Sequence, residues 1–238
     1  LLLACVPLEA SAWVARGLHR WSNRDGSRLR REAPDERVGG TAWSGIALVF
    51  RSPRLRLIAL YLVLMTFAST ILYFQQAELV GSAITDRGER RAFLARLDFW
   101  VNTLTIVGQG LIAAHLIRLA GVGVTLALVP AIALLGFAGL GLTPTLAVFV
   151  AVQVLYHSGR HAFSKPAREV LFTQVSREER YKSKAFIDAA VYRFGDLVSG
   201  WAYVGLGALG LSLGGIALAA APMAALWVGI GIALGRRE

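Results

Sequence analysis

The sequence predicts an all-α protein, a polytopic membrane helix bundle with six transmembrane helices inside residues 55–238. Three observations carry that expectation. Of 238 residues, 55% are hydrophobic and 17% charged, whereas a soluble domain carries about 25% charged residues. Leu119–Gly159 runs 41 residues without Asp, Glu, Lys or Arg, and Leu197–Gly235 runs 39. Each stretch holds two spans of the roughly 20 residues that a bilayer requires. The basic residues, finally, gather in alternate gaps between the apolar runs, which is how charge is distributed around membrane helices.

The six spans are expected at 57–77, 97–117, 119–138, 145–163, 185–208 and 216–234. Thr143-Pro144 reads as the start of the fourth, because Thr caps free amides and Pro fits a first helical turn. Lys165-Pro166 reads as its stop, since Pro disfavours helical geometry in the residue before it. Ser176 and Glu179 fit a capping box, so a helix is expected to begin near Arg177 and enter the membrane near Ala185. Gly210/Gly214 and Gly231/Gly235 read as places of close helix packing.

Orientation follows from counting Lys and Arg. Segments 15–56, 118–122, 160–184 and 235–238 hold 10, 1, 7 and 2, and segments 78–96, 139–144 and 209–215 hold 4, 0 and 0. That asymmetry places the first set, with the carboxyl terminus, in the cytoplasm. Residues 1–21 read as the end of an upstream transmembrane helix and 22–54 as a cytoplasmic linker, rich in Arg, Gly, Asp and Ser over 22–40. A stub, a basic linker and six spans ending inside match the carboxyl-terminal half of a 12-span carrier of the major facilitator type. In that architecture solute is held between two bundles near the bilayer midplane. The partners this implies are the lipid bilayer, a small-molecule solute and an amino-terminal six-helix half.

Composition excludes other classes. A net charge of +10 raises nucleic acid, but the arginines lie in the gaps and form no stacked aromatic platform. Cys5 is the single cysteine, so no internal disulfide framework exists, and no Cys/His cluster has metal-ligand spacing. The motif Leu2-Leu3-Ala4-Cys5 resembles a lipoprotein cleavage site, but no basic region precedes it. No Gly-rich phosphate loop and no nucleophile-base-carboxylate set is present. The expectation is a non-enzyme without cofactor or catalytic residues, powered by a gradient or by exchange.

Charged side chains at the bilayer centre cost roughly 2.5–3.5 kcal/mol each, so those inside spans should face a cavity or a partner. Asp98, Asn102, Thr105 and Gln109 form one helical stripe in the second span, and Gln153, His157, Arg160 and His161 another in the fourth. The fifth carries Asp188, Tyr192 and Asp196 on one face, with Arg193 three residues before Asp196. These stripes either line a solute path or hold interface-depth and mutually neutralising groups. Gln75, Gln76 and Glu78 fit a gate or a solvated helix end at the outer side of the first span. Lys165, Arg168, Arg177, Arg180, Lys182 and Lys184 form a basic turn that attracts an anionic solute or anchors on acidic headgroups.

The segment from Phe163 to Gly200 resembles the most distinctive stretch of the ATP/ADP translocase family, nucleotide exchangers related to the major facilitator superfamily. Arg168-Glu169 resembles that family's Lys-Glu pair, Lys182-Ser183-Lys184 its lysine turn, and Ile187-Asp188 and Arg193-Phe194-Gly195 the elements that follow. Two positions depart from it: Arg168 replaces a lysine, and Asp196 stands where the exchangers usually have another lysine. A carboxylate there repels a polyphosphate. The resemblance therefore implies a translocase-like carrier in a bacterial inner membrane, for a nucleotide-like or other organic anion, with Arg168 and Glu169 added to the substrate-contacting set. The competing reading is a non-transporting membrane anchor or sensor domain.

The topology has a direct test. Single cysteines placed at Ser27 and Ser176 in a Cys5-free background should react with impermeant reagents only from the cytoplasmic side. Reaction of both from outside intact cells contradicts it.

Overall fold

The computed structural model describes residues 13–14, 42–173, 183–184 and 186–236, with residues 42–45 and Asp188 described along the backbone alone. Cys5, linker residues 22–40 and the capping box at Ser176–Glu179 lie outside the described residues, as does Lys182 of the basic turn. Of the expected upstream helix end at 1–21, only Trp13 and Val14 are described, as helical. No strand occurs among the described residues.

Helix α1, Ala42–Arg51, occupies the end of the expected linker 22–54. Ser52 then breaks the chain out of helical geometry, its hydroxyl accepts from the Leu55 amide at 3.4 Å, and Pro53 fills the first position of α2. Proline is tolerated there because its missing N–H has no partner anyway. Helix α2, Pro53–Ala83, runs 31 residues, about 46 Å at 1.5 Å per residue. Its last carbonyls are closed by Arg90, which donates to Ile84 O at 2.7 Å and Gly81 O at 3.3 Å. This cationic cap explains a basic residue on the sparsely basic side of the bundle.

Helix α3, Arg87–Val107, starts at Asp86, whose carboxylate accepts from the Glu89 amide at 2.8 Å. A π turn at Gly108–Ile112 leads without a gap into α4, Ala113–Leu142. Within α4 the backbone turns at Gly121, with φ 79° and ψ 168°, a conformation open to glycine and costly for other residues. Gly121 lies three residues into the span expected at 119–138. Thr143 was expected to cap the fourth span, but it closes α4 instead, through amide and hydroxyl bonds to Gly139 O. Thr145 takes the capping position of α5, Leu146–Gly159, accepting from the Val148 amide at 3.4 Å.

Lys165-Pro166 does not stop the chain. A π turn at Arg160–Ser164 passes into α6, Lys165–Thr173. The Lys165 amide reaches back five residues to Arg160 O, and this wider turn relieves the crowding that a proline ring creates in a regular α-helix. A third π turn, Ile187–Val191, opens α7, Tyr192–Ala208. Gly210, at φ 80°, makes the following turn and has no close helix packing. Helix α8, Leu213–Gly235, is capped by the Ser212 hydroxyl.

Among the described residues three helices are long and apolar enough to cross a membrane by length and composition: Pro53–Ala83, the continuous Arg87–Leu142, and Leu213–Gly235. The core gathers where α2, α4, α5 and α8 meet around Trp227, Tyr61, Tyr156, Phe137 and Phe149, all almost fully buried. Helices α4 and α8 are antiparallel and nearly touch. A Cβ on Gly123 would stand 2.9 Å from Gly235 Cα, one on Gly231 3.0 Å from Ala127 Cα, and one on Gly214 3.0 Å from Gly141 O. Small residues at i and i+4 on both helices permit this approach. Replacing Gly231 by Leu should therefore lower the stability of the protein in detergent by about 1–3 kcal/mol, read as a fall in melting temperature. An unchanged melting temperature would show that the contact tolerates separation.

Candidate functional site

The π turn at Arg160–Ser164 and helix α6 present two neighbouring rows at i, i+4 spacing. Arg160, Ser164 and Arg168 form one, and His161, Lys165 and Glu169 the other. The first faces α2. Arg160 Nη1 donates to Ser69 Oγ at 3.0 Å, Ser69 donates to Met65 O at 2.9 Å, and the Tyr156 hydroxyl donates to the same carbonyl at 2.9 Å. Tyr61 donates to Leu126 O at 2.9 Å, so Ser164 is left as donor in its 3.0 Å bond to Tyr61. Arg168 Nη1 donates to the Tyr192 hydroxyl at 2.6 Å. Behind these residues Trp227 stands edge-on to Tyr61, ring centres 5.3 Å apart, and near Tyr156 at 6.4 Å. This aromatic backing fixes the position of both hydroxyls.

Between the row and α2 lies a cavity of about 370 Å³. Its polar lining comprises Arg160, His161, Lys165 and Arg168 with Tyr61, Ser164 and Tyr192, and Leu62 and Met65 complete it. None of these nine residues is acidic. Arg168 Nε is buried without a hydrogen-bond partner among the described residues. Arg160 and Arg168 are each partly buried, and both spend a donor on a neutral hydroxyl rather than on a carboxylate. Lys165 and His161 are exposed, and a cluster of partly buried cations with no counter-charge among the described lining residues attracts an anion.

A second cavity, about 440 Å³, adjoins the first across His161 and Lys165, which line both. Its remaining lining is Asn102, Thr105, Gln109, Pro166 and Glu169. Glu169 accepts from Lys184 Nζ at 2.7 Å, so its charge is compensated. The π turns Gly108–Ile112 and Arg160–Ser164 pack against each other here, a Cβ on Gly108 standing 3.0 Å from Ala162 Cβ. A π turn inserts a residue and re-aims side chains, and such turns recur at functional sites.

The two cavities thus bring together Asn102, Gln109, Arg160, Arg168, Glu169 and Tyr192 of the expected set. Other expected residues lie elsewhere. Asp98 is exposed and lines neither cavity. Gln153 is buried and donates to Gln76 Oε1 at 2.7 Å, which makes it a tie between α5 and α2. His157 packs edge-on against Tyr156, ring centres 5.3 Å apart. Arg193 and Asp196 are both exposed, and no ion pair joins them. Gly195 between them packs against Thr66, which turns the two charges away from α2. The Asp188 side chain lies outside the described residues.

Tyr61, Ser164 and Ser69 are the residues that sequence reasoning missed. Tyr61 had one legible signal, a hydroxyl inside an apolar run that must find a partner when buried. The carboxyl-terminal part of α2 carries polar contacts: Gln75 donates to Leu213 O at 3.1 Å, and Glu78 accepts from the Tyr203 hydroxyl at 2.8 Å. Among the described residues no three His, Cys, Asp or Glu side chains are placed to hold a metal. Compared with known proteins, the chain matches no family model, no curated protein and no solved structure.

Tyr61→Phe removes the hydroxyl that joins Leu126 O and Ser164. It should cost about 0.5–1.5 kcal/mol of stability, measured by thermal or denaturant unfolding. A variant as stable as the unmodified protein would show the bond to be dispensable.

Proposed function

We propose that this chain is the carboxyl-terminal half of a secondary active transporter of the major facilitator type, and that the cavity beneath Arg160, Lys165 and Arg168 holds an anionic solute during transport. The observation that carries the reading is a cluster of three cations lined up with hydroxyls and, among the described lining residues, no carboxylate. Neutral tyrosine and serine partners fix the guanidinium groups without cancelling their charge. A purely structural role favours acidic partners, because an unpaired charge away from water is costly.

The membrane reading draws on the three long apolar helices and on the apolar character of the rest of the bundle. On this reading the Gly121 turn divides the long Arg87–Leu142 helix into two crossings, and the helices continuous through Arg160–Ser164 and Ile187–Val191 supply two more, six in all. The basic asymmetry puts the cationic cavity toward the cytoplasm. The exposed surface of α3 and the π turn after it, with Asp98, Phe99, Trp100, Ile106 and Leu111, and the exposed surface of α7, with Arg193, Phe194, Leu197 and Trp201, are then covered by lipid and by the amino-terminal half. The resemblance over Phe163–Gly200 agrees with a nucleotide-like or other organic anion.

Uptake of an anionic solute into vesicles by the intact gene product should fall at least about tenfold in Arg160→Gln and in Arg168→Gln, the loss expected when a charge-assisted hydrogen bond of about 1.5–3 kcal/mol is removed. Both variants should still insert and fold. Unchanged uptake in both removes the cavity from the transport path. The 238-residue chain alone should give no saturable uptake, because a site of this kind needs both bundles.

A further inference from the structure

We propose that the two adjoining cavities form one bipartite site whose solute is a phosphorylated polyol, with a single phosphate in the cationic cavity and a neutral, hydroxyl-bearing body in the other. The assignment rests on the anion reading above and specifies its solute class. The head follows from charge. Arg160, Lys165 and Arg168 face a space with no acidic group among its described lining residues, and three cations compensate a dianionic phosphate better than a monoanionic carboxylate. Each arginine keeps donors beyond the one it gives to Ser69 or Tyr192, and guanidinium geometry suits phosphate oxygens.

The body follows from hydrogen-bonding capacity. Asn102 and Gln109 are exposed on the wall of the second cavity, and each amide both donates and accepts. Thr105 has already given its hydroxyl proton to Val101 O at 2.7 Å, so it offers acceptance alone. Hydroxyl groups, which donate and accept, satisfy all three together. An ammonium group does not fit, because the one carboxylate among the described lining residues of this cavity, Glu169, is held by Lys184. His161 and Lys165 stand where the two parts meet, and Lys165 is positioned to serve a bridging phosphate oxygen.

The same chemistry occurs in a free solute and in a phosphatidylglycerol headgroup, and the test separates them. The intact gene product is placed in phosphatidylcholine nanodiscs, and thermal stabilisation is titrated with inorganic phosphate, glycerol 3-phosphate, glycerol and phosphoethanolamine. Glycerol 3-phosphate should bind most tightly, phosphate and phosphoethanolamine about tenfold more weakly, and glycerol not measurably. Asn102→Leu combined with Gln109→Leu should bring glycerol 3-phosphate down to the affinity of phosphate and leave phosphate itself unchanged. Thr105→Val, nearly isosteric, should weaken glycerol 3-phosphate alone, and Arg160→Gln should weaken both ligands.

Phosphate binding that survives Arg160→Gln intact overturns the anion reading and this proposal with it. Loss of binding in Arg160→Gln, with glycerol 3-phosphate unaffected in both second-cavity variants or matched by phosphoethanolamine, overturns the bipartite site alone. Stabilisation that requires phosphatidylglycerol in the nanodisc and is not reproduced by the soluble probes makes this a headgroup site and overturns the solute assignment.

Discussion

The row formed by Arg160, Ser164 and Arg168 must stand among apolar helices without a carboxylate among the described residues that line its cavity, and the surrounding structure answers to that constraint. A polar group away from water needs a hydrogen-bond partner, and α2 supplies partners in register, with Ser69 for Arg160 and Tyr61 for Ser164. Tyr61 and Tyr156 in turn anchor to main-chain oxygens of Leu126 and Met65. Trp227 holds the two tyrosine rings from behind. The position of Trp227 depends on α8 lying almost in contact with α4, which the paired small residues at Gly123, Ala127, Gly231 and Gly235 allow. A chain of dependence thus runs from glycine packing to guanidinium placement.

Hydroxyl partners and carboxylate partners have different consequences. A carboxylate beside Arg160 would fix the guanidinium and cancel its field. A serine fixes it and leaves the field intact. In surroundings of low effective dielectric that remaining field is large, and the energy that would have gone into an internal ion pair stays available to a ligand. The Lys184–Glu169 pair on the neighbouring row shows the other arrangement: there the charge is spent internally, and the adjoining cavity is left with neutral amides and a hydroxyl.

The helical character and the apolar stretches were legible because they depend on composition and length, which need no knowledge of neighbours. The backbone turn at Gly121 falls close to the gap expected after residue 117 but not at it, because Arg118 marks a break in apolar character and not the residue where the chain bends. Thr143 and Lys165-Pro166 were misread for physical reasons. Thr143 lies in a turn where two caps compete, and Thr145 won the helix start. Pro166 sits just after a π turn whose wider geometry accommodates it, and no residue pattern announces such a turn. The stripe through Asn102 and Gln109 and the polar run at Arg160 were visible as spacing. Which stripe faces which was not, because that depends on contacts between residues far apart in sequence, such as Ser69 with Arg160. Arg193 and Asp196 have the right spacing for a pair, yet packing of Gly195 on Thr66 directs both outward.

The central claim is that the cation row lacks a counter-charge and takes it from a solute. Ser164→Asp tests this most directly, since the new carboxylate would lie between Arg160 and Arg168 and exchange the one neutral bond that Ser164 donates to Tyr61 for charge-assisted bonds from the arginines. The account predicts a melting temperature above that of the unmodified protein together with loss of anion uptake. A variant that melts no higher and transports as before would contradict it.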